Sequence, residues 1–379
     1  MGGDSLDQVV FWGVVAARLL VPLLVFKYPL PAIVACMLLD GVDQTVFQTF
    51  TSLDLSHYQS YDKALDIYYL ALAYVATMRN WTSRPAFEVA RFLFFYRLVG
   101  TTIFELTGGT HRWLLLVFPN TFEYFFIFYE IVRTRWDPKR FSLRWWIAAA
   151  AVIWIVVKLP QEAWIHVFKL DLTDTMRDVA WFTPALVLAV LALAAVFWFA
   201  VRPRLAPPDH AWQLAADPLP AELDDERERA AARVAHGKVF DRWLLEKVVL
   251  VALVSVIIAN IVPSVTATPL AITLSCAVLV VVNSFLGLWT ARRGGGAESA
   301  AAAFFVLSGI NIGLVLVASF VLPTNEQFFL TAGFFFVFLL TLIVSLYDRY
   351  RPVLDVRTQD GRPPAPVRRA IPTGEVESL

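Results

Sequence analysis

Asp40 and Asp43 stand three residues apart, so on a helix they occupy neighbouring positions of one face. Paired carboxylates can bind a hard cation through oxygen ligands, relay protons, or divide general-acid and general-base work. His57, Asp62 and Asp66 follow, the last two spaced by four. Arg97 and Glu105 lie in a later apolar run, His111 and Arg112 follow a Thr107-Gly-Gly-Thr110 turn, and Pro119, Asn120 and Glu123 come next. The stretch Lys158-Leu-Pro-Gln-Glu-Ala-Trp-Ile-His166 begins inside an apolar helix and puts Glu162 and His166 four apart on one face.

These residues are costly in an apolar setting. A charge at the bilayer centre costs a few kcal/mol at least, so such groups pair with one another or line a water-filled path. Arg97 and Lys158 set against Asp40, Asp43, Asp66 and Glu123 make a charge-compensated cluster, with Asp40 paired to Arg97 as the structural alternative. Glu162 and His166, completed by His57 or His111, resemble half of a divalent-metal site. No HExxH, HxxxH, Walker loop, GxGxxG or GxSxG accompanies them.

The elements that must position these groups follow from composition. The chain has 379 residues, 58% hydrophobic and 17% charged, with mean hydropathy +0.61. A soluble chain carries about 25% charge, and here the apolar residues form separated runs of roughly 20, the length that crosses about 30 Å of hydrocarbon. The expectation is an all-α, multi-pass membrane protein surrounded by lipid. Zero net charge gives no basic surface for nucleic acid. Cys36 and Cys276 fall inside spans and imply no disulfide framework.

Eleven spans are predicted: 8–26, 30–50, 64–78, 87–107, 113–132, 145–166, 180–201, 245–263, 270–290, 301–322 and 327–347. A ten-span arrangement in which 30–50 re-enters the membrane is the rival. The first run reads as a retained span, since no basic n-region precedes it. Arg133, Arg135, Lys139, Arg140 and Arg144 place the loop after span five in the cytoplasm. Stepping outward gives N-terminus out and C-terminus in. Ala/Arg-rich, Lys-poor usage suggests a bacterial source and hence its inner (cytoplasmic) membrane.

The chain divides into a polar seven-helix half (1–201), a cytoplasmic linker with a charged, solvated helix (202–244), an apolar four-helix half (245–350) and a disordered tail (351–379). In the second half Asn260, Asn283 and Asn311 are the strong polar side chains, and Gly309 and Gly313 give a small-residue spacing for close helix approach. Trp145, Trp146, Trp154, Trp164, Tyr68, Tyr69, Tyr124 and Tyr129 read as membrane-belt anchors. Pro160 should end or kink its helix, and Pro119-Asn120 should interrupt another.

Three functions remain open. The first is a transporter or channel-like protein whose site is Asp40, Asp43, Asp66, Arg97, Glu105, Lys158 and Glu162. The second is a membrane enzyme acting on a lipid or lipid-linked substrate at the outer leaflet, with Glu162, His166, Asp40 and Asp43 as ligands or acid/base groups; a divalent cation there would be held by Glu162, His166, His57 or His111. The third is a scaffold or accessory subunit in which the charges only pair.

Overall fold

The computed structural model describes residues 3–51, 58–168, 172–223, 241–261, 268–292, 304–313 and 334–358. Among these the secondary structure is helical, with no strand. Five helices are long and apolar enough to cross a membrane: Asp7–Phe26, Trp113–Arg133, Leu143–Ile165, Phe182–Arg204 and Pro269–Leu286. His57, the linker helix expected after residue 223, most of span ten and the C-terminal tail beyond Thr358 lie outside the described residues; residues 351–358, expected to be disordered, instead close the helix Phe334–Thr358. The side chains of Asp62, His166 and Asn260 also lie outside the described residues.

The first helix, α1 (Gly3–Leu20), passes into a 3-10 turn, Val21–Phe26, at Pro22. Proline has no N–H to continue an α-helical ladder, and the tighter turn takes over. The Leu19 carbonyl there accepts the Tyr68 hydroxyl at 3.0 Å. Helix α2 (Pro29–Phe50) is one continuous helix of 22 residues.

Helix α3 (Tyr58–Asn80) has 23 residues, longer at both ends than the predicted 64–78. It continues through Tyr58–Lys63 and through Arg79 because helix propensity does not stop where hydropathy falls. Nearly every side chain from Ile67 to Met78 is buried. Around it pack α1, α2, α4 (Arg84–Leu106), α10 (Arg242–Ile261) and α13 (Phe334–Thr358). The two sequence halves therefore share one core built on α3.

Span five is two helices, α5 (Trp113–Val117) and α6 (Thr121–Arg133), broken at Phe118–Asn120 as Pro119 predicts. At the break α4 comes so close that a Cβ on Gly100 would lie 2.1 Å from the Cβ of Phe118, which requires glycine there. Helix α7 does not end at Pro160. It continues past it as alternating α and π segments, Leu143–Val152, Ile153–Lys158, Leu159–Glu162 and Ala163–Val167. The wider π turn before Pro160 makes room for the ring that would otherwise strike the carbonyl four residues back.

Helix α8 (Leu172–Asp178) leads to α9 (Phe182–Val196, continued by a π turn to Val201). None of the α9 span is buried. It is apolar all round, as a helix in lipid must be. Helices α11 (Pro269–Arg292) and α12 (Phe304–Gly313) complete the set. Gly309 and Gly313 have no atom within 4 Å of a built Cβ, so the small-residue face makes no close approach among the described residues.

Several of the expected belt aromatics pack inside instead. Trp146, Tyr68, Tyr69 and Tyr129 are buried, while Trp145 is exposed. Trp81 stacks on Tyr129 with centroids 3.7 Å apart, and Tyr74 lies parallel to Phe94 at 4.5 Å. Rings this large gain more from interlocking in the core than from a place at the membrane edge. Cys36 and Cys276 are free and buried.

The described part of the linker is also not free in solvent. Residues 205–223 form a strap across one end of the bundle. Asp209 N–H donates to Arg135 O at 2.9 Å, Gln213 N–H to Thr134 O at 3.2 Å and Ala216 N–H to Lys27 O at 2.8 Å. Arg133 donates to Ala215 O at 3.1 Å, and Arg357 to the carbonyls of Asp217 and Pro218 at 3.2 and 2.7 Å. Basic side chains and free carbonyls at the helix ends satisfy the strap backbone, which would otherwise need water.

Asp209 fixes one end of the strap. It accepts the Asp137 N–H at 2.9 Å and the Arg140 guanidinium at 2.8 and 3.0 Å. First the backbone donor and then the guanidinium hold its carboxyl below its ordinary range. A depressed carboxylate pKa contributes stability that is present above the ordinary value and is lost as pH falls through the depressed one. Protection factors for hydrogen exchange across 205–217, which divide out the slowing of intrinsic exchange by acid, are therefore expected to fall on acidification in the wild type, and Asp209→Asn to show the low protection already at neutral pH. Equal rates in both proteins at neutral pH would show that Asp209 does not hold the strap.

Candidate functional site

The first polar cluster is centred on Arg18, in the last turn of α1, where a cation also suits the negative end of the helix dipole. Its Nη1 donates to Asp43, and its Nη2 donates to Asp40 Oδ1 at 2.6 Å and to Asp66 Oδ1 at 2.8 Å. Asp40 and Asp43 come from one face of α2 and Asp66 from α3, so three helices converge on one guanidinium. Arg18 and Asp43 are buried, whereas the side chains of Asp40 and Asp66 keep 30% and 33% exposure. The cluster thus has a closed floor and a partly open rim.

The sequence reading sets Arg97 and Lys158 against Asp40, Asp43, Asp66 and Glu123, whereas the structure gathers Asp40, Asp43 and Asp66 on Arg18. Arg97 makes its hydrogen bond to the Phe118 carbonyl, at 2.9 Å. One signal could have found Arg18: an arginine embedded in the apolar run of span one needs a partner as much as any mid-membrane charge.

A second cluster forms where α6 begins beside α7. Lys158 Nζ lies 2.9 Å from Gln161 Oε1, 3.5 Å from Glu162 Oε1 and 4.6 Å from the centre of the Tyr124 ring. Glu162 Oε1 accepts the Asn120 N–H at 3.3 Å. Glu123 accepts the Tyr69 hydroxyl at 2.6 Å and the Asn120 side-chain amide at 3.0 Å. Lys158 and Glu162 are both buried.

Tyr69 connects the two clusters. Its hydroxyl bonds Glu123, and its side chain lines a crevice with Arg18, Pro22, Cys36 and Leu39. That crevice is too narrow to admit a water molecule.

Two expected site residues lie elsewhere. Glu105 pairs with Lys63 at 3.1 Å, a partner the sequence reading did not name. His111 is exposed at the turn between α4 and α5. Among the described residues no group of three or more His, Cys, Asp or Glu side chains is arranged to hold a metal ion. The metal reading through His57 and His166 depends on side chains outside the described residues.

A third cluster joins the halves, again where the sequence reading saw only apolar spans and asparagines. Glu246 of α10 accepts the hydroxyls of Tyr74, from α3, and of Tyr347, from α13, the latter at 3.1 Å. Arg91 approaches it at 3.5 Å. Next to it, Lys247 is buried and bridges Asp348 and Ser284, both at 2.6 Å.

No family of proteins, no curated protein and no solved structure matches this chain. What fold and site define is a class: a helical protein with helices long and apolar enough to cross a membrane and with ionisable residues clustered between its helices.

Proposed function

We propose that the protein is a transporter or channel-like protein of a bacterial inner membrane, with eleven spans, N-terminus out and C-terminus in. The Arg18-centred carboxylates are the seat of its coupling cation or proton, reached from the outer face. One observation carries this reading: three carboxylates meet one guanidinium among the described residues, and two of them are about a third exposed. Carboxylates gathered between apolar helices are costly, and a cation or protons arriving at the open rim lower that cost. The Tyr69–Glu123 bond then leads from this rim to Lys158 and Glu162.

The test is flux in liposomes holding the purified protein, loaded with reporters for pH, sodium, potassium and magnesium. Wild type is expected to carry at least one of these, and Asp40→Asn and Asp66→Asn to lose most of that flux while still folding. A wild type that passes none of them under any gradient overturns the proposal.

The accessory-subunit reading draws support from the tightness of the crevice between Arg18 and Tyr69. Its signature is the absence of flux together with loss of folding in Asp40→Asn and Asp66→Asn.

A further inference from the structure

At the second cluster, the start of α6 is an anion seat occupied from within the chain. Helix α6 has 13 residues, and its first N–H groups have no partner inside the helix and carry the positive end of its dipole. Lys158 and Arg97 add two cations nearby. The group now in the seat is the Glu162 carboxylate, whose contacts include the Asn120 N–H at 3.3 Å and Lys158 at 3.5 Å.

Three polar atoms around this seat are buried without a hydrogen-bond partner: Thr121 Oγ1, Arg97 Nε and Asn120 Oδ1. Thr121 is 1% exposed. As the first residue of α6 its Cα–Cβ bond leans toward the helix start, on the side of the seat. The Thr121 hydroxyl and the Arg97 Nε–H are donors that an incoming oxyanion would satisfy, while Asn120 Oδ1 is an acceptor that it would not.

Glu162 is also placed to leave. Its short α segment, Leu159–Glu162, lies between two π turns, Ile153–Lys158 and Ala163–Val167. Each π turn holds an extra residue, and moving that residue along the helix turns the segment between by about 100°. Such a step swings Glu162 off the α6 terminus without unfolding α7.

The geometry points to a small organic monocarboxylate as the ligand of this seat, taking the place that the Glu162 carboxylate now holds. This inference rests on the transport reading and names the substrate class it would serve. A single negative charge fits the balance. Facing the seat are Lys158 and Gln161 from α7, Glu123 and Tyr124 from α6, and Arg97 from α4. With Glu162 displaced, two cations face Glu123 and the ligand, so a dianion would leave an excess of negative charge. A carboxylate can accept from the Asn120 N–H and the Thr121 hydroxyl while pairing with Lys158.

The experiment uses the purified full-length protein and titrates acetate, pyruvate and benzoate, read by tryptophan fluorescence and thermal melting. Glu162→Gln removes the internal competitor and is expected to tighten binding of at least one probe about tenfold or more. Thr121→Val is close in shape and leaves the fold intact. Combined with Glu162→Gln it is expected to weaken that binding several-fold. Absence of saturable binding in Glu162→Gln, or binding unaffected by Thr121→Val, overturns the inference. Liposome flux separates the two readings. Cation flux without carboxylate binding removes the seat and leaves transport standing. Carboxylate binding without flux in wild type keeps the seat and removes transport.

Discussion

Replacing Arg18 by glutamine is expected to leave little folded protein. Arg18 is the shared partner of Asp40, Asp43 and Asp66, and Asp43 is 1% exposed. Removing one partner of a buried ion pair costs about 3–5 kcal/mol, because the remaining buried charge loses the counter-ion that offset its desolvation. Against a total stability of about 5–15 kcal/mol that is a large fraction. The double variant Arg18→Gln/Asp43→Asn removes the deepest stranded charge and should recover part of the loss. Melting temperature and the monodisperse fraction in detergent read both effects. An unchanged melt in the single variant would mean that the guanidinium is not what holds the three helices together.

The second large effect is expected at Glu246. Its Oε1 accepts two hydroxyls whose residues, Tyr74 and Tyr347, are buried to 0% and 1% exposure. Glu246→Ala leaves both hydroxyls without an acceptor, at about 1–3 kcal/mol each. Glu246→Gln keeps an oxygen in place and gives up only the charge facing Arg91, which is a third exposed. That substitution should cost about 1 kcal/mol or less. The contrast is the measurement: thermal melts of the two variants side by side, with alanine far below glutamine. Equal losses would show that charge, not hydrogen-bond acceptance, is what Glu246 supplies.

How much of this could be read from the chain depends on the kind of signal. Helical class and the approximate spans follow from apolar runs, which are local. The convergence of Asp40, Asp43 and Asp66 follows from the cost of charge in an apolar setting, which requires company but does not name it. Arg18 and Arg97 were equally eligible partners by that rule, and the choice between them is made by packing: α1 lies against α2 and α3, while α4 brings Arg97 to the break before α6. Pro160 misled for a related reason. A proline removes an N–H whatever surrounds it, but whether a helix ends there depends on whether a π turn can absorb the ring. The docking of 205–223 was hidden because it uses backbone groups, which every sequence has and none advertises. The joining of the halves was missed because Glu246 and Lys247 sit at the very start of an apolar run, where charge reads as the end of a span.

The position of α3 also sets an order of assembly during synthesis. The bonds from Arg18 reach no further than Asp66, 48 residues on, so the acidic cluster can close once the first three helices have emerged. Tyr74 must wait for Glu246, 172 residues later. At about 5–20 residues per second that delay is on the order of 10–30 s. Throughout it, one side of the central helix is bare of its final neighbours and carries a phenol with nothing to donate to. The carboxylates can find their arginine within that interval, well before the second half arrives to cover this face.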